Sequence, residues 1–265
     1  MIFDNLIIVR GAGDLATACI IRLVKSGFKV IALEVEKPTV IRRTVSFAQA
    51  MFDGTSEVEG ISAKRVELGQ ALETINTGFV PVIADPEGKA IELYKPTVVI
   101  DAIIAKRNLG TNRKMAPCTI ALGPGFEAGK DVDVVIETTR GHRLGKLIYE
   151  GCAAPNTGIP GNIAGFTVER VIHSPCEGDF VACAKIGDIV KAGDVIAHVG
   201  ESEVKATIDG MIRGLLHDGL RVPEHFKIAD IDPRGEKAEF LTCSDKARAL
   251  SGSVLEAVIH YLSLV

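Results

Sequence analysis

The chain has no tryptophan, and aromatic residues supply only 5% of its 265 positions. Its core must therefore be aliphatic, of the valine, isoleucine, leucine and alanine kind that fills parallel sheets covered on both faces. A large excess of either charge sign is also missing. The formal net charge is −4, which excludes the basic footprint of a general nucleic-acid binder. No apolar run approaches the roughly 20 residues needed to cross a bilayer, and no basic-then-apolar leader opens the sequence. These absences predict a soluble, cytoplasmic protein with neither a membrane nor a nucleic-acid partner. Six cysteines are present without a C-x-x-C pair, and Cys176 and Cys183 have six residues between them, outside the usual zinc spacings. No metal site is expected. Most of these thiols should be small buried hydrophobes. Cys118 and Cys152 lie beside glycine-rich loops and are the two candidates for reactivity.

What the chain does have is glycine, concentrated between Glu137 and Gly165. This stretch reads E-T-T-R-G-H-R-L-G-K, then L-I-Y-E, then G-C-A-A-P-N-T-G-I-P-G-N-I-A-G. Such a density of breakers leaves no helical or strand period of useful length. Arg140, His142, Arg143, Lys146, Asn156 and Thr157 sit among the glycines, so the loop could hold an anion against backbone N–H groups. The competing reading is an ordered crossover whose glycines only turn corners.

Upstream, the apolar run N-L-I-I-V-R leads into G-A-G-D-L-A-T-A, a helical pattern closed by Ser26-Gly27, and a second apolar strand ending in Glu34. Strand, glycine turn, helix, strand, acid is the order of a dinucleotide-binding unit. In that reading Gly11 makes the tight turn, Gly13 lets backbone approach a pyrophosphate, and Asp14 adds a negative charge beside it. Glu34 follows Gly11 by 23 residues, near the ~20 expected of a ribose-binding acid. Arg42-Arg43 could receive an anion or simply open a helix in solvent. Further apolar runs at 64–67, 79–83, 97–104, 118–122 and 132–136 read as buried strands. Asp101 lies inside one of them, with Lys106-Arg107 just beyond.

After Gly165 the pattern changes to short strands and turns. Sliding the sequence by 32 residues lays Gly178 on Gly210, Gly187 on Gly219, Val190 on Val222, Ile196 on Ile228 and Val199 on Ile231. Such a repeat predicts a flattened barrel like that of a biotinyl/lipoyl carrier. The expected carrier tip, Gly200-Glu201-Ser202-Glu203, has no lysine, and Lys205 falls in the next strand. A terminal helix follows, with Leu250, Val254, Leu255, Val258, Ile259 and Leu262 on one face and Ser253 and Glu256 as a capping box.

The expected fold is thus α/β: a Rossmann-like parallel sheet domain at 1–136, a connecting and candidate site segment at 137–166, a small all-β biotinyl/lipoyl-like (barrel-sandwich hybrid) domain at 167–235, and a helix at 236–265 packing back on the first domain. R-G-H-R-L-G-K, P-N-T-G-I-P-G and D-I-D-P-R-G together resemble the YqeB family, accessory proteins of the selenium-dependent molybdenum hydroxylase system. The glycine turn is distantly similar to that of xanthine dehydrogenase accessory proteins. The resemblance covers nearly the whole chain, though His225 and Ala229 stand where the family would usually place glycine. It implies a factor that matures a molybdenum hydroxylase while binding a nucleotide or molybdopterin dinucleotide. In that reading Gly11, Gly13, Asp14 and Glu34 hold the nucleotide. Arg140, Asn156, Thr157, Gly158 and Gly161 face the phosphate or pterin end, with Cys152 and His142 as catalytic candidates. The implied partners are a molybdenum hydroxylase and a second copy of the chain. An NAD(P)-dependent oxidoreductase with His142 as acid/base, and a non-catalytic docking protein or chaperone, are the alternatives.

Overall fold

A computed structural model describes residues 4–264; Met1–Phe3 and Val265, at the ends of the first and last expected segments, lie outside it. The chain divides into two units. The first takes in the chain up to Pro38, Ser46–Asn156 and the segment from Cys243; the second takes in Thr39–Val45 and Thr157–Thr242.

The first unit is built on β1 (Leu6–Arg10), α1 (Asp14–Lys25), β2 (Lys29–Glu34), α2 (Ala50–Asp53), β3 (Thr55–Val58), β4 (Ile61–Arg65), α3 (Ala71–Asn76), β5 (Val80–Ala84), α4 (Lys89–Tyr94), β6 (Val98–Asp101), β7 (Cys118–Leu122), β8 (Glu127–Ala128), β9 (Val134–Ile136), β10 (Leu147–Ile148), β11 (Gly151–Cys152) and, from the far end of the chain, α5 (Asp245–Leu262). Nine strands form one sheet in the order β10-β9-β7-β6-β1-β2-β5-β4-β3. Its central pairs are parallel, and their residues are buried on both faces. Ile7, Ile8, Val9, Val98, Val99 and Ile100 are fully inaccessible, which explains the unbroken apolar runs.

The sheet is mixed rather than parallel. β3 pairs antiparallel with β4 at one edge, and β10 pairs antiparallel with β9 at the other. The first pair is joined by Glu59-Gly60, both at positive φ (51° and 77°), the turn geometry whose twist suits a two-residue hairpin. β6 and β7 are joined by residues 102–117 with no helix between them. The expected Rossmann-like parallel domain is therefore corrected to a large mixed sheet. The difference lies in short edge strands whose two to four residues leave little periodic signal.

α1 is buried along most of its length because the sheet covers one side and α5 the other; Ala18, Cys19, Ile20, Ile21 and Leu23 are all at or below 5% exposed. α5 buries Ala247, Leu250, Val254, Ala257 and Val258. Each fully buried Leu or Val contributes about 1.5–3 kcal/mol. This helix starts at Asp245 with Ser244 as its cap, Oγ accepting from the Ala247 N–H at 3.2 Å. Ser253 lies inside the helix instead of capping it.

The second unit holds β12 (Val171–His173), β13 (Gly178–Ala182), β14 (Ile189–Val190), β15 (Val195–Val199), β16 (Ser202–Lys205), β17 (Gly210–Leu215), β18 (Arg221–Val222) and β19 (Lys227–Asp232). They form two four-stranded sheets, β12-β19-β17-β14 and β16-β15-β13-β18, whose pairs are all antiparallel. The offset of 32 residues relates β13 to β17, β14 to β18 and β15 to β19. Two antiparallel sheets replace the biotinyl/lipoyl-like domain of the expectation. Arg42 is buried here, and Arg43 Nε donates to the Leu215 carbonyl at 2.8 Å, so this pair serves packing rather than a solvated helix start.

Candidate functional site

The carboxyl ends of three parallel strands carry Arg10, Glu34 and Asp101. In an open α/β sheet this edge, near the strand where the order reverses, is where ligands bind. Here the reversal falls between β1 and β6, and their two loops touch: a Cβ on Gly11 would lie 3.0 Å from the backbone of Ala102 and Ile103. The glycine turn is also spent on internal hydrogen bonds. Gly11 N–H donates to the Leu33 carbonyl (2.7 Å), and Ala12 N–H donates to Glu34 Oε2 (2.8 Å). The Ala12 carbonyl accepts from Ala48 N–H, Ser46 Oγ and Thr17 Oγ1 at 2.8–3.0 Å. Glu34 Oε1 accepts from its neighbour Val35. Burial pushes the Glu34 carboxyl above its ordinary value, and the N–H groups of Val35 and Ala12 offset this in part. Glu34 is a strut for the turn, each of its oxygens accepting one backbone N–H.

Asp101 and Arg10 form a second buried strut. Arg10 Nη1 donates to Thr111 Oγ1, which in turn donates to Asp101 Oδ2, both at 2.5 Å. Burial raises the Asp101 carboxyl against the lowering influence of Thr111, Ile103 and Arg10. This network clamps both ends of the loop 102–111. Ile104 and Lys106 within that loop stand at φ 60° and 62°, and for a β-branched residue this is strained backbone. Lys106 and Arg107 are exposed on it.

The R-G-H-R-L-G-K motif forms the turn between β9 and β10. Glu137 N–H donates to the Lys146 carbonyl and Gly145 N–H to the Glu137 carbonyl. The loop folds onto α5: a Cβ on Gly145 would meet Ser253 Oγ at 2.5 Å, and Arg140 grips both oxygens of Asp245 at 2.7 and 3.2 Å. Beneath it Glu137 is buried, accepting from Thr139 and Ala154 N–H at 2.7 and 2.8 Å. Burial alone would raise this carboxyl; the donated hydrogen bonds from Ala154 and Thr139 outweigh it and hold Glu137 below the ordinary range.

Lys246, in the first turn of α5, completes the group and was missed from sequence. Its amine is half-buried and depressed, first by burial and then by the neighbouring Arg140, while Asp14, Glu137 and Asp245 pull the other way. A cation in the first turn of a helix also faces the positive end of the macrodipole. Beside it begins α1, whose residue before the first turn, Gly13, offers no side-chain cap. The only sequence signal was S-D-K-A-R, a cap followed by a lysine where helices prefer acids.

Of the residues expected to form the site, Asp14 and Arg140 meet around Lys246. His142 is exposed on the same turn. Cys152 lies elsewhere, on β11 opposite Glu127, where the nearby cation is Lys130, itself bonded to Glu127 at 3.1 Å. The cation coupled to this thiol is Lys130, while Arg140 is engaged with Asp245. Cys118 is buried, and its thiol is pushed up to about 12 by burial and by Asp133. Asn156 ends the first unit, while Thr157, Gly158 and Gly161 belong to the second. Among the described residues no cluster of His, Cys, Asp or Glu is arranged to hold a metal, and no helix is long and apolar enough to cross a membrane.

An α/β unit with a cluster of charged side chains, Lys246 and Arg140 among Asp14, Glu137 and Asp245, at the carboxyl edge of its sheet is the class of protein these observations define. The chain is 58% identical over 256 residues to a protein of Escherichia coli (strain K12) named "Uncharacterized protein YqeB". The match takes in 96% of this chain and 47% of that protein, so the chain spans about half the length of its curated relative. This similarity supports the YqeB family for the stretch it covers. No protein-family model matches the chain. Among solved structures it is similar to an aspartoacylase family protein of Mesorhizobium loti (13% identical, covering 86% of this chain and 84% of that one, TM-score 0.29). It is also similar to a succinylglutamate desuccinylase/aspartoacylase of Rhodobacter sphaeroides (13%, 86% and 85%, TM-score 0.27) and to the ectoine utilization protein EutE of Ruegeria pomeroyi (11%, 86% and 85%, TM-score 0.26). At these TM-scores no residue role or activity passes to this chain. In the glycine turn the Glu34 carboxylate takes the Ala12 and Val35 N–H groups and the Leu33 carbonyl takes the Gly11 N–H, so the turn is built as an internal brace. The expected accessory role, with its nucleotide or molybdopterin ligand, is corrected accordingly. The nicotinamide alternative is set aside with it.

Proposed function

We propose that the first unit binds a small organic carboxylate at the carboxyl edge of its sheet. Lys246 and Arg140 take the charged group against the first turn of α1. The observation that carries this reading is the placement of Lys246: half-buried, beside a second cation, in the first turn of a helix, with a depressed amine. Burial, Arg140 and the helix start each disfavour the charged amine in the free protein, against the pull of Asp14, Glu137 and Asp245, and a bound anion relieves all three. Local arrangements that oppose stability concentrate where function requires them. The test is a thermal-shift and calorimetric series with acetate, succinate and citrate at constant ionic strength. A ligand at 100 times its Kd adds about 2.7 kcal/mol to stability. The expected result is a saturable rise of the midpoint for at least one anion, abolished by Lys246→Met. Binding that survives that substitution, or no binding of any anion, refutes the site.

A further inference from the structure

A second cationic feature lies further along the same helix pair. Ala18, Ile21, Arg22 and Lys25 form one stripe on α1, and Arg248, Ser251 and Leu255 form another on α5. Between them is an open cavity of about 210 Å³, closed at one end by Glu59 from the turn between β3 and β4. Small side chains, Ala18 and Ser251, leave the gap. Three cations and a single carboxylate line it. Arg248 is matched to that carboxylate, its guanidinium meeting Glu59 Oε1 at 2.6 Å and Oε2 at 3.3 Å. Glu59 Oε1 also accepts from Cys243 N–H at 2.9 Å. The other two cations are held by neutral acceptors. Arg22 Nε donates to Ser251 Oγ at 3.0 Å, and Lys25 Nζ donates to the Glu59 carbonyl at 3.1 Å. Ser251 is itself buried and fixed by donating to the Arg248 carbonyl at 2.8 Å.

We infer that this groove is a binding site for a phosphate group, gripped by Arg22 and Lys25 with Arg248 at its wall. Arg22 bonds Ser251 through Nε, which leaves the end fork of its two terminal amino groups for an oxyanion. Neutral acceptors fix both cations without cancelling their charge, so the groove keeps an excess of positive charge that a dianion balances. Its volume is below the roughly 300–1,000 Å³ of pockets that enclose whole drug-sized ligands, which matches a phosphate head group with its remainder in solvent. The inference does not depend on the Lys246 site and is separable from it.

The experiment is isothermal titration of the whole chain, and of its Lys246→Met variant, with inorganic phosphate and with glycerol 3-phosphate, at constant ionic strength in chloride. Saturable binding should persist in Lys246→Met and weaken at least tenfold on Arg22→Gln and on Lys25→Gln, each checked for an unchanged circular dichroism spectrum. Lys25 is exposed and bonds only a carbonyl, so its variant keeps the test open if Arg22→Gln folds poorly. Preference for the ester over inorganic phosphate assigns the site to a phosphorylated metabolite, and equal binding assigns it to free phosphate. Absence of saturable heat, loss of binding in Lys246→Met, or binding unchanged in both glutamine variants overturns it.

Discussion

Glu34, the last residue of β2, accepts a 2.8 Å hydrogen bond from the N–H of Ala12 in the glycine turn, so the acid expected to read a ribose instead fastens the turn to the sheet. Its other oxygen accepts from Val35 N–H. Glu34→Ala leaves both donors without an acceptor and should cost about 1–3 kcal/mol in urea unfolding. The carboxyl is raised in the folded protein, so the folded state holds its proton at pH values where the unfolded chain has released it. Stability from this group is therefore full below the ordinary glutamate value of about 4.3 and declines as pH rises through the folded value. Glu34→Ala should remove that decline. A pH series of urea midpoints that is parallel in both proteins would contradict the assignment.

Lys246 carries the opposite linkage. Its amine is depressed in the folded protein, so the unfolded chain binds the extra proton between the folded value and about 10.4. Stability from this group rises with pH across that window. Lys246→Met should match or exceed the stability of the parent at neutral pH, lack the alkaline rise and lose carboxylate binding. Lys246→Arg should keep binding in part and stay destabilised. A Lys246→Met protein less stable than the parent would mean that the lysine is a structural partner rather than a site cation.

These two residues mark what the sequence could and could not reveal. The β1-turn-α1-β2 order and the buried strand at 118–122 were legible because each rests on local periodicity and turn chemistry. The role of Glu34 was not, since spacing places an acid near the turn without saying which donors reach it first. Lys246 joins Asp14 and Glu137 only because α5 returns to the first unit from the end of the chain. A contact of that sequence separation leaves no trace in a window of a dozen residues. Gly252 suggested a break that α5 tolerates at about 1 kcal/mol, which moved the expected start to Ser253. The antiparallel edges stayed hidden in strands too short to show alternation.

Gly125 tests whether the loop 102–111 is held rigidly. It stands at φ 108°, and a Cβ there would fall 2.6–2.9 Å from the backbone of Arg107. Gly129, at φ 85°, has nothing nearer than 3.8 Å. Gly129→Ala should cost about 1–2 kcal/mol for the left-handed backbone alone. Gly125→Ala should cost clearly more and shift the amide resonances of residues 102–111. Equal costs would show that the loop moves aside freely.

Glu137 accepts at both oxygens, from Thr139 and Ala154, and is held below the ordinary carboxylate range by those donors. The stability it contributes is present above about pH 4.3 and is lost as pH falls through the lower folded value. Glu137→Gln turns one acceptor into a donor facing an N–H group. It should cost about 1–3 kcal/mol at pH 7 and flatten the acid limb of the stability curve. An unaltered acid limb in the variant would place the acid-sensitive group elsewhere.

In the second unit, Arg170 and Asp230 form a buried pair at 2.6 Å, and Arg170 Nη2 also donates to the Gly161 carbonyl at 3.1 Å. One guanidinium thus joins D-I-D-P-R-G to the otherwise exposed P-N-T-G-I-P-G segment. Arg170→Met strands a buried carboxylate and should cost about 3–5 kcal/mol. Pairing it with Asp230→Leu removes the stranded charge and should recover most of that loss, because replacing both members of a buried pair by apolar residues is often neutral. The tether to Gly161 is not recovered by the second substitution. Limited proteolysis should therefore cut within residues 157–166 faster in the double variant than in the parent, at matched global stability. Equal cleavage rates would show that Arg170 serves only its ion pair and that the glycine segment is held by its own turns.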